Sequence, residues 1–196
     1  LIRWVDAVPT APMFVGMAYG MTPLGFAACA LLHLRGRPAH VPSALLTWVG
    51  MTCGALAAYH LFPITGPEYV FGSTEFANAL LSSTQLPIAY ANLPAYSRNG
   101  MPSMHFGWML TASILWWRSG TRALSRTILI AMTVTTAIAT LYTGEHYVVD
   151  LIVAVPFVLA MIALCTTGVR WSSLERRGTV ALGVATWLAW VLLLRW

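Results

Sequence analysis

The stretch Thr143–Cys165, TGEHYVVDLIVAVPFVLAMIALC, joins a polar cluster to a long apolar run. The apolar part, from Tyr147 to Thr166, matches the roughly 20 residues that an α-helix needs to cross the hydrocarbon core of a bilayer. Ionisable side chains are costly in such a segment, so those that occur there commonly serve a function. The stretch therefore predicts a membrane helix that begins in a candidate functional site.

The composition extends this prediction to the whole chain. Of its 196 residues, 58% are hydrophobic and only 9% are charged, whereas a soluble domain carries about 25% charged residues. The 9 Trp residues suit the interfaces of a bilayer. We expect an all-α fold, a polytopic bundle of about six transmembrane helices that forms a single integral membrane domain over residues 1–196.

Six apolar runs are candidates for these helices, with two of them short for a complete crossing. The segment Pro63–Met101, between the second and third runs, is rich in Pro and Gly, which break helices. Within it, Ser73–Ile88 is predicted to form a short helix at the membrane interface. The runs are Ala11–Leu34, Val41–Phe62, Pro102–Trp117, Leu124–Tyr142, Tyr147–Thr166 and Thr179–Leu194.

The arginines predict the orientation of the bundle. Every basic residue apart from histidine is Arg, and eight of the eleven fall in the first, third and fifth connections. Short loops rich in Arg stay in the cytoplasm, so we interpret these arginines as orienting residues alone. This distribution argues against a nucleic-acid partner and predicts that residues 97–105 and 143–150 lie on the non-cytoplasmic face. We expect the membrane to be the plasma membrane. The eight are Arg35, Arg37, Arg118, Arg122, Arg126, Arg170, Arg176 and Arg177.

His146 and Asp150 are four residues apart, a spacing that places two side chains on one face of a helix. The carboxylate can accept a hydrogen bond from one imidazole nitrogen, which fixes the tautomer and leaves the other nitrogen as a nucleophile or base. The same pair could instead hold two helices together, and the spacing alone leaves both interpretations open.

Residues 98–105 supply groups that suit an anion. Pro102 favours the first position of a helix, and Ser103 with the free amides of the helix start can bind an anion. Arg98 adds full positive charge, and His105 is close enough in sequence to reach an oxygen of that anion. Ser103 could alternatively be a plain helix cap.

Together, these groups predict phosphoryl transfer without a metal or other cofactor. His146 would attack phosphorus while His105 protonates the departing oxygen, and water or an alcohol would then resolve the phosphohistidine with His105 as base. Arg98 and the helix start would stabilise the charge on the equatorial oxygens.

The motifs MPSMH, Met101–His105, and GEHYVVD, Gly144–Asp150, resemble the second and third signatures of the phosphatidic acid phosphatase type 2 superfamily. The resemblance is closest to its inositol phosphorylceramide synthase (aureobasidin-resistance) branch. It implies a catalytic triad of His105, His146 and Asp150 with His146 as nucleophile, and Ser103 as the phosphate-binding serine.

The departures from the family's phosphatases favour the synthase-like branch. The chain contains no Lys, which the phosphatases' first motif requires, and Thr140 stands where they carry an Arg. The segment His60–Tyr69, HLFPITGPEY, weakly matches a motif of the synthase-like branch. The resemblance implies a lipid phosphate substrate and a hydroxyl acceptor or water, with transfer of a phosphorylated head group such as inositol phosphate.

Other functions remain open on the sequence. A simple phosphatase of phosphatidate or polyprenyl phosphate shares the first half-reaction. His105, His146 and Asp150 could form a two-histidine, one-carboxylate metal site, or the polar cluster could gate a transporter. Glu145 could orient an acceptor hydroxyl or face water, and the cysteines are interpreted as buried thiols that bind neither each other nor zinc.

Overall fold

A computed structural model describes residues 5–35, 39, 41–71, 99–118 and 123–194. Within these ranges the regular structure is helical, apart from one isolated bridge between Ile64 and Asn99. The helices are α1 (Ala11–Arg35), α2 (Val41–Leu61), α3 (Pro67–Phe71), α4 (Met104–Arg118), α5 (Ala123–Tyr142), α6 (Val148–Cys165) and α7 (Leu174–Leu194).

Four helices, α1, α2, α5 and α6, are long and apolar enough to cross a bilayer. The all-α membrane fold expected from the sequence is thus confirmed at this level, and the chain is an integral membrane protein. Helix α4 has only 15 residues, about 22 Å of helix. Helix α7 has 21 residues but opens with three charged side chains, Glu175, Arg176 and Arg177.

The distribution of side chains is that of a protein surrounded by lipid. Large aliphatic side chains are exposed along the bundle, including Leu24 at 62% and Leu182 at 71%. Threonines line the interior and donate to helix carbonyls, as Thr111 does to Gly107 and Thr133 to Leu129. Small and hydroxylated residues between helices are typical of membrane bundles, because they allow close approach.

Helix α4 lies at the centre of the bundle and packs against α1, α2, α5 and α6. Its first residue, Met104, joins a core cluster with Met51 of α2 and Phe157 and Val158 of α6. This packing holds α4 against the middle of α6, while the two sequence motifs lie at the starts of these two helices.

The segments at this end of the bundle are joined through their backbones. The Gly100 amide donates to the Ile64 carbonyl at 2.7 Å, and the Glu68 amide donates to the Gly144 carbonyl at 2.8 Å. The Ser103 amide donates to the Asp150 carbonyl at 3.3 Å, which connects the two motifs directly. The helix predicted over Ser73–Ile88 lies outside the described residues.

Two sequence interpretations are corrected. Cys53 is exposed and Cys29 and Cys165 are only partly buried, because α2 turns the Cys53 side chain outward. Arg176 does more than orient the chain: its guanidinium donates to the carbonyls of Ala163, Leu164 and Val169 around the C-terminal end of α6. It thereby satisfies carbonyls that a helix end leaves without partners.

Candidate active site

The polar turn before α6 presents His146. Gly144 has a positive φ of 75°, a conformation that glycine adopts without steric cost. Tyr147 is the N-cap, and its amide donates to Asp150 Oδ2 at 2.8 Å. The prediction that His146 and Asp150 share a helix face is wrong in detail, since His146 lies two residues before α6. The side chains still approach because Asp150 folds back toward the helix start.

One nitrogen of the His146 ring has a hydrogen-bond partner and a nearby carboxylate. Its Nδ1 lies 2.8 Å from the Gly100 carbonyl oxygen and 3.5 Å from Asp150 Oδ2. The side chains of His146 and Asp150 are 6% and 0% exposed. A proton on Nδ1 satisfies this arrangement and leaves Nε2 as the nitrogen available for chemistry. Sequence reasoning missed Gly100 because a backbone carbonyl leaves no signature in the sequence.

His105 occupies the second position of α4 and faces His146. The two ring centroids are 6.5 Å apart. The His105 ring also packs against Tyr19 of α1 in a tilted arrangement, with centroids 4.4 Å apart, and the Trp108 ring lies 6.0 Å away. The structure therefore brings together His105, His146 and Asp150 from two segments about 40 residues apart in sequence.

Ser103 immediately precedes α4 and is fully buried. Its Oγ has no hydrogen-bond partner among the described residues, and the same holds for Asp150 Oδ1. A capping serine would accept a hydrogen bond from an amide of the first turn. Ser103 Oγ makes no such bond among the described residues, so Ser103 is not a plain helix cap. A buried hydroxyl without a partner calls for one, and a bound oxyanion at the helix start would provide it.

A cavity of about 250 Å³ is lined by both histidines and by Met104, the residue after Ser103, whereas Ser103 and Asp150 themselves are not among its lining residues. No lysine or arginine lines it within the described part of the chain. Arg98, predicted to bind phosphate, lies outside the described residues, although its neighbour Asn99 lines the cavity. The lining residues are Tyr19, Thr52, Ala55, Leu56, Tyr59, Asn99, Met104, His105, Trp108, Glu145 and His146.

Glu145 enters the cavity beside His146 and is partly buried. Its Oε1 accepts a hydrogen bond of 3.4 Å from Tyr69 Oη. Burial raises the pKa of Glu145, and the nearby Glu68 carboxylate raises it further, while His146 and the Tyr69 hydrogen bond act in the opposite direction. The alternative in which Glu145 simply faces water therefore does not describe its surroundings.

The metal-site alternative gains no support from this geometry. Within the described ranges, no three or more His, Cys, Asp or Glu side chains are placed to hold a metal ion together. The His146 nitrogen nearest Asp150 is already directed at the Gly100 carbonyl. A metal shared by His146 and Asp150 would have to displace that bond.

The comparisons with known proteins agree with the geometry of the site. The family model of the PAP2 superfamily matches residues 1–164, a range that includes both motifs. No curated protein and no solved structure matches the chain. Since the family match covers most of the sequence, the chain belongs to the PAP2 superfamily, which supports a membrane phosphatase or phosphotransferase that acts on lipid phosphates.

Proposed function

We propose that the protein is a metal-independent lipid phosphotransferase that works through a phosphohistidine at His146. In this proposal it moves a phosphorylated head group, such as inositol phosphate, from a lipid to a hydroxyl acceptor, as the synthase-like branch does. One observation carries the proposal. His146 Nδ1 is hydrogen-bonded to the Gly100 carbonyl oxygen and lies near the Asp150 carboxylate. The His146 ring faces His105 in a cavity.

Each half-reaction balances with these groups. His146 Nε2 donates its lone pair to phosphorus, the bond to the lipid oxygen breaks, and His105 gives that oxygen a proton. In the second half, His105 takes a proton from the acceptor hydroxyl, which attacks phosphorus and releases His146. Asp150 and the Gly100 carbonyl stabilise the positive charge that His146 gains on forming the intermediate.

The phosphate oxygens are assigned to the start of α4. Ser103 Oγ, buried and without a partner among the described residues, would donate to one oxygen. The first-turn amides and the helix dipole favour a negative charge at the same place. Arg98 remains a prediction for the full positive charge, since it directly precedes Asn99, which lines the cavity.

Transfer is favoured over hydrolysis by the surroundings of Thr140. This residue stands where the family's phosphatases carry an Arg, and it is fully buried, with Oγ1 donating to the Ala137 carbonyl at 3.0 Å. The His146 amide donates to the Thr140 carbonyl at 3.3 Å. A long basic side chain at this position would have to lie in the protein interior, and its absence supports the synthase-like branch. A simple lipid phosphatase remains the second candidate, because water could replace the acceptor.

In the proposed arrangement the chain crosses the membrane six times within one domain. Helices α1, α2, α5 and α6 are the four clear spans, and α4 and α7 are the other two. We propose that the site lies on the non-cytoplasmic face, in the plasma membrane. The position of the described arginines at the end opposite to the cavity supports the proposed face, because Arg-rich short loops stay in the cytoplasm.

The deciding experiment measures release of the lipid alcohol and of the head group from a panel of lipid phosphates in detergent with EDTA. His146→Ala is expected to lower the EDTA-resistant rate on the order of 10³-fold or more. His60→Ala is the matched control, since His60 is exposed on α2 and, within the described part of the chain, its ring bonds the Leu56 carbonyl of its own helix.

The products separate transfer from hydrolysis, and an acid-labile phosphoryl adduct on wild type but not on His146→Ala would identify the intermediate. Activity that EDTA abolishes, or that His146→Ala retains, would exclude this mechanism.

A further inference from the structure

The cavity that contains both histidines also contains a carboxylate. Glu145 is the one acidic side chain among the described residues that line it, and the other lining groups are neutral or histidine. The chain has no Lys. The described arginines belong to helix ends and loops at the opposite end of the bundle. Within the described structure, an anionic substrate that enters the cavity therefore meets a negative charge.

The backbone holds Glu145 in this position. A Cβ atom on Gly66 would collide with the Glu145 carbonyl oxygen and lie 2.7 Å from its carbonyl carbon. The Glu68 amide donates to the Gly144 carbonyl, and Tyr69 Oη donates to the Glu145 carboxylate. Glu145 therefore belongs to a turn packed against residues 66–69, and its carboxylate does not simply swing into solvent.

A carboxylate in the cavity discriminates between classes of phosphate ester. A phosphomonoester has a second pKa of about 6 and carries nearly two negative charges at pH 7. A phosphodiester carries one negative charge. Coulomb repulsion scales with the product of the charges, so Glu145 disfavours the monoester about twice as strongly in free energy as the diester.

We infer that Glu145 is a specificity-determining residue, which makes the site select monoanionic phosphodiester lipids over dianionic phosphomonoester lipids. The inference rests on the proposed function and goes further, because it assigns the choice of substrate to one side chain. It also gives a reason for a carboxylate beside a phosphate site. The carboxylate lowers the occupancy of the site by monoesters, such as phosphatidate, that would otherwise be hydrolysed.

The test uses one product common to both substrates. Attack by His146 releases diacylglycerol from phosphatidate, a monoester, and from phosphatidylinositol, a diester that carries the proposed head group. We would measure kcat/KM for diacylglycerol release from each lipid in mixed micelles with EDTA at pH 7.5. Glu145→Gln is expected to lower the diester-to-monoester ratio of kcat/KM by about tenfold.

Two further variants make the result specific. Glu145→Asp keeps the charge and is expected to keep the ratio close to that of wild type, even if both rates fall. Glu175→Gln removes a carboxylate in the first turn of α7, at the other end of the bundle, and should leave both rates unchanged.

The outcomes are distinct. If diacylglycerol release requires His146 but Glu145→Gln keeps the wild-type diester-to-monoester ratio of kcat/KM, the inference is wrong and the proposed function stands. The same conclusion follows if Glu145→Asp changes this ratio as much as Glu145→Gln does. If wild type releases no diacylglycerol from either lipid, or releases it without His146, the proposed function fails and the inference fails with it.

Discussion

At the scale of single residues, the site depends on backbone groups as much as on side chains. The spacing of the motifs indicated His105, His146 and Asp150, and the structure brings them together. The nearest acceptor of His146 Nδ1, however, is the Gly100 carbonyl. A sequence encodes such a contact only through the fold, so it could not be predicted from the residue types.

Gly66 is the residue at which this dependence can be tested. Because a Cβ there would collide with the Glu145 carbonyl, Gly66→Ala should push the turn that carries Glu145 and His146 away from α3. A displacement of about 1 Å at a reacting group can cost on the order of 10²-fold in rate. We expect a loss of between tenfold and about 10²-fold in kcat, measured as diacylglycerol release in detergent.

Gly168→Ala provides the control for Gly66→Ala. Gly168 also lies in a loop, but a Cβ there meets no atom within 4 Å, so the same chemical change should leave the rate close to that of wild type. If Gly66→Ala folds and retains full activity, the turn tolerates the displacement and the placement of Glu145 is less fixed than we describe.

At the scale of helices, hydropathy predicted the interior of each span better than its ends. The predicted run Leu124–Tyr142 differs by one residue from α5, and Tyr147–Thr166 differs by one at each end from α6. The last helix begins at Leu174 and not at Thr179. Its first turn is charged, so an apolar pattern could not reveal it. Helix α4 begins after Ser103, two residues later than its apolar run.

A close contact between α6 and α7 gives an element-scale prediction. A Cβ on Gly183 of α7 would lie 2.6 Å from the Pro156 carbonyl oxygen and 2.8 Å from the Ala160 Cβ of α6. Gly183→Ala should therefore separate α6 from α7 and destabilise the protein by about 1–3 kcal/mol, as overpacking does. The measurement is the apparent Tm of the purified protein in a fixed detergent.

Gly178→Ala serves as the control within the same helix, because a Cβ at Gly178 meets nothing within 4 Å. Alanine is a better helix former than glycine by up to about 1 kcal/mol, so this variant should be as stable as wild type or slightly more stable. Equal Tm values for Gly183→Ala and Gly178→Ala would mean that α6 and α7 are not packed as closely as the structure shows.

At the scale of the whole molecule, the sequence anticipated which end of the bundle holds the site. The described arginines lie at the end opposite to the cavity, including Arg176, which also stabilises the end of α6. Composition identified the membrane environment, because so few charged residues could not cover a water-exposed surface. It could not identify the size of the cavity or the carboxylate within it, since these depend on how α1, α2 and α4 pack.

This arrangement predicts opposite labelling from the two faces of the membrane. In a background with Cys29, Cys53 and Cys165 replaced by Ala, one cysteine is introduced at each end of the bundle. Thr10, exposed just before α1, lies at the end that holds the cavity, where Tyr142 Oη donates to Asp6 at 2.8 Å. Ser172 is exposed in the loop before α7, at the other end.

In intact cells, a membrane-impermeant maleimide should label Thr10→Cys and leave Ser172→Cys unlabelled until the membrane is permeabilised. The reverse pattern would place the cavity on the cytoplasmic face, which would contradict the orientation derived from the arginines. Labelling of both sites in intact cells would mean that the bundle does not separate its two ends across the membrane. Neither result would alter the geometry of His105 and His146, so orientation and chemistry are tested independently.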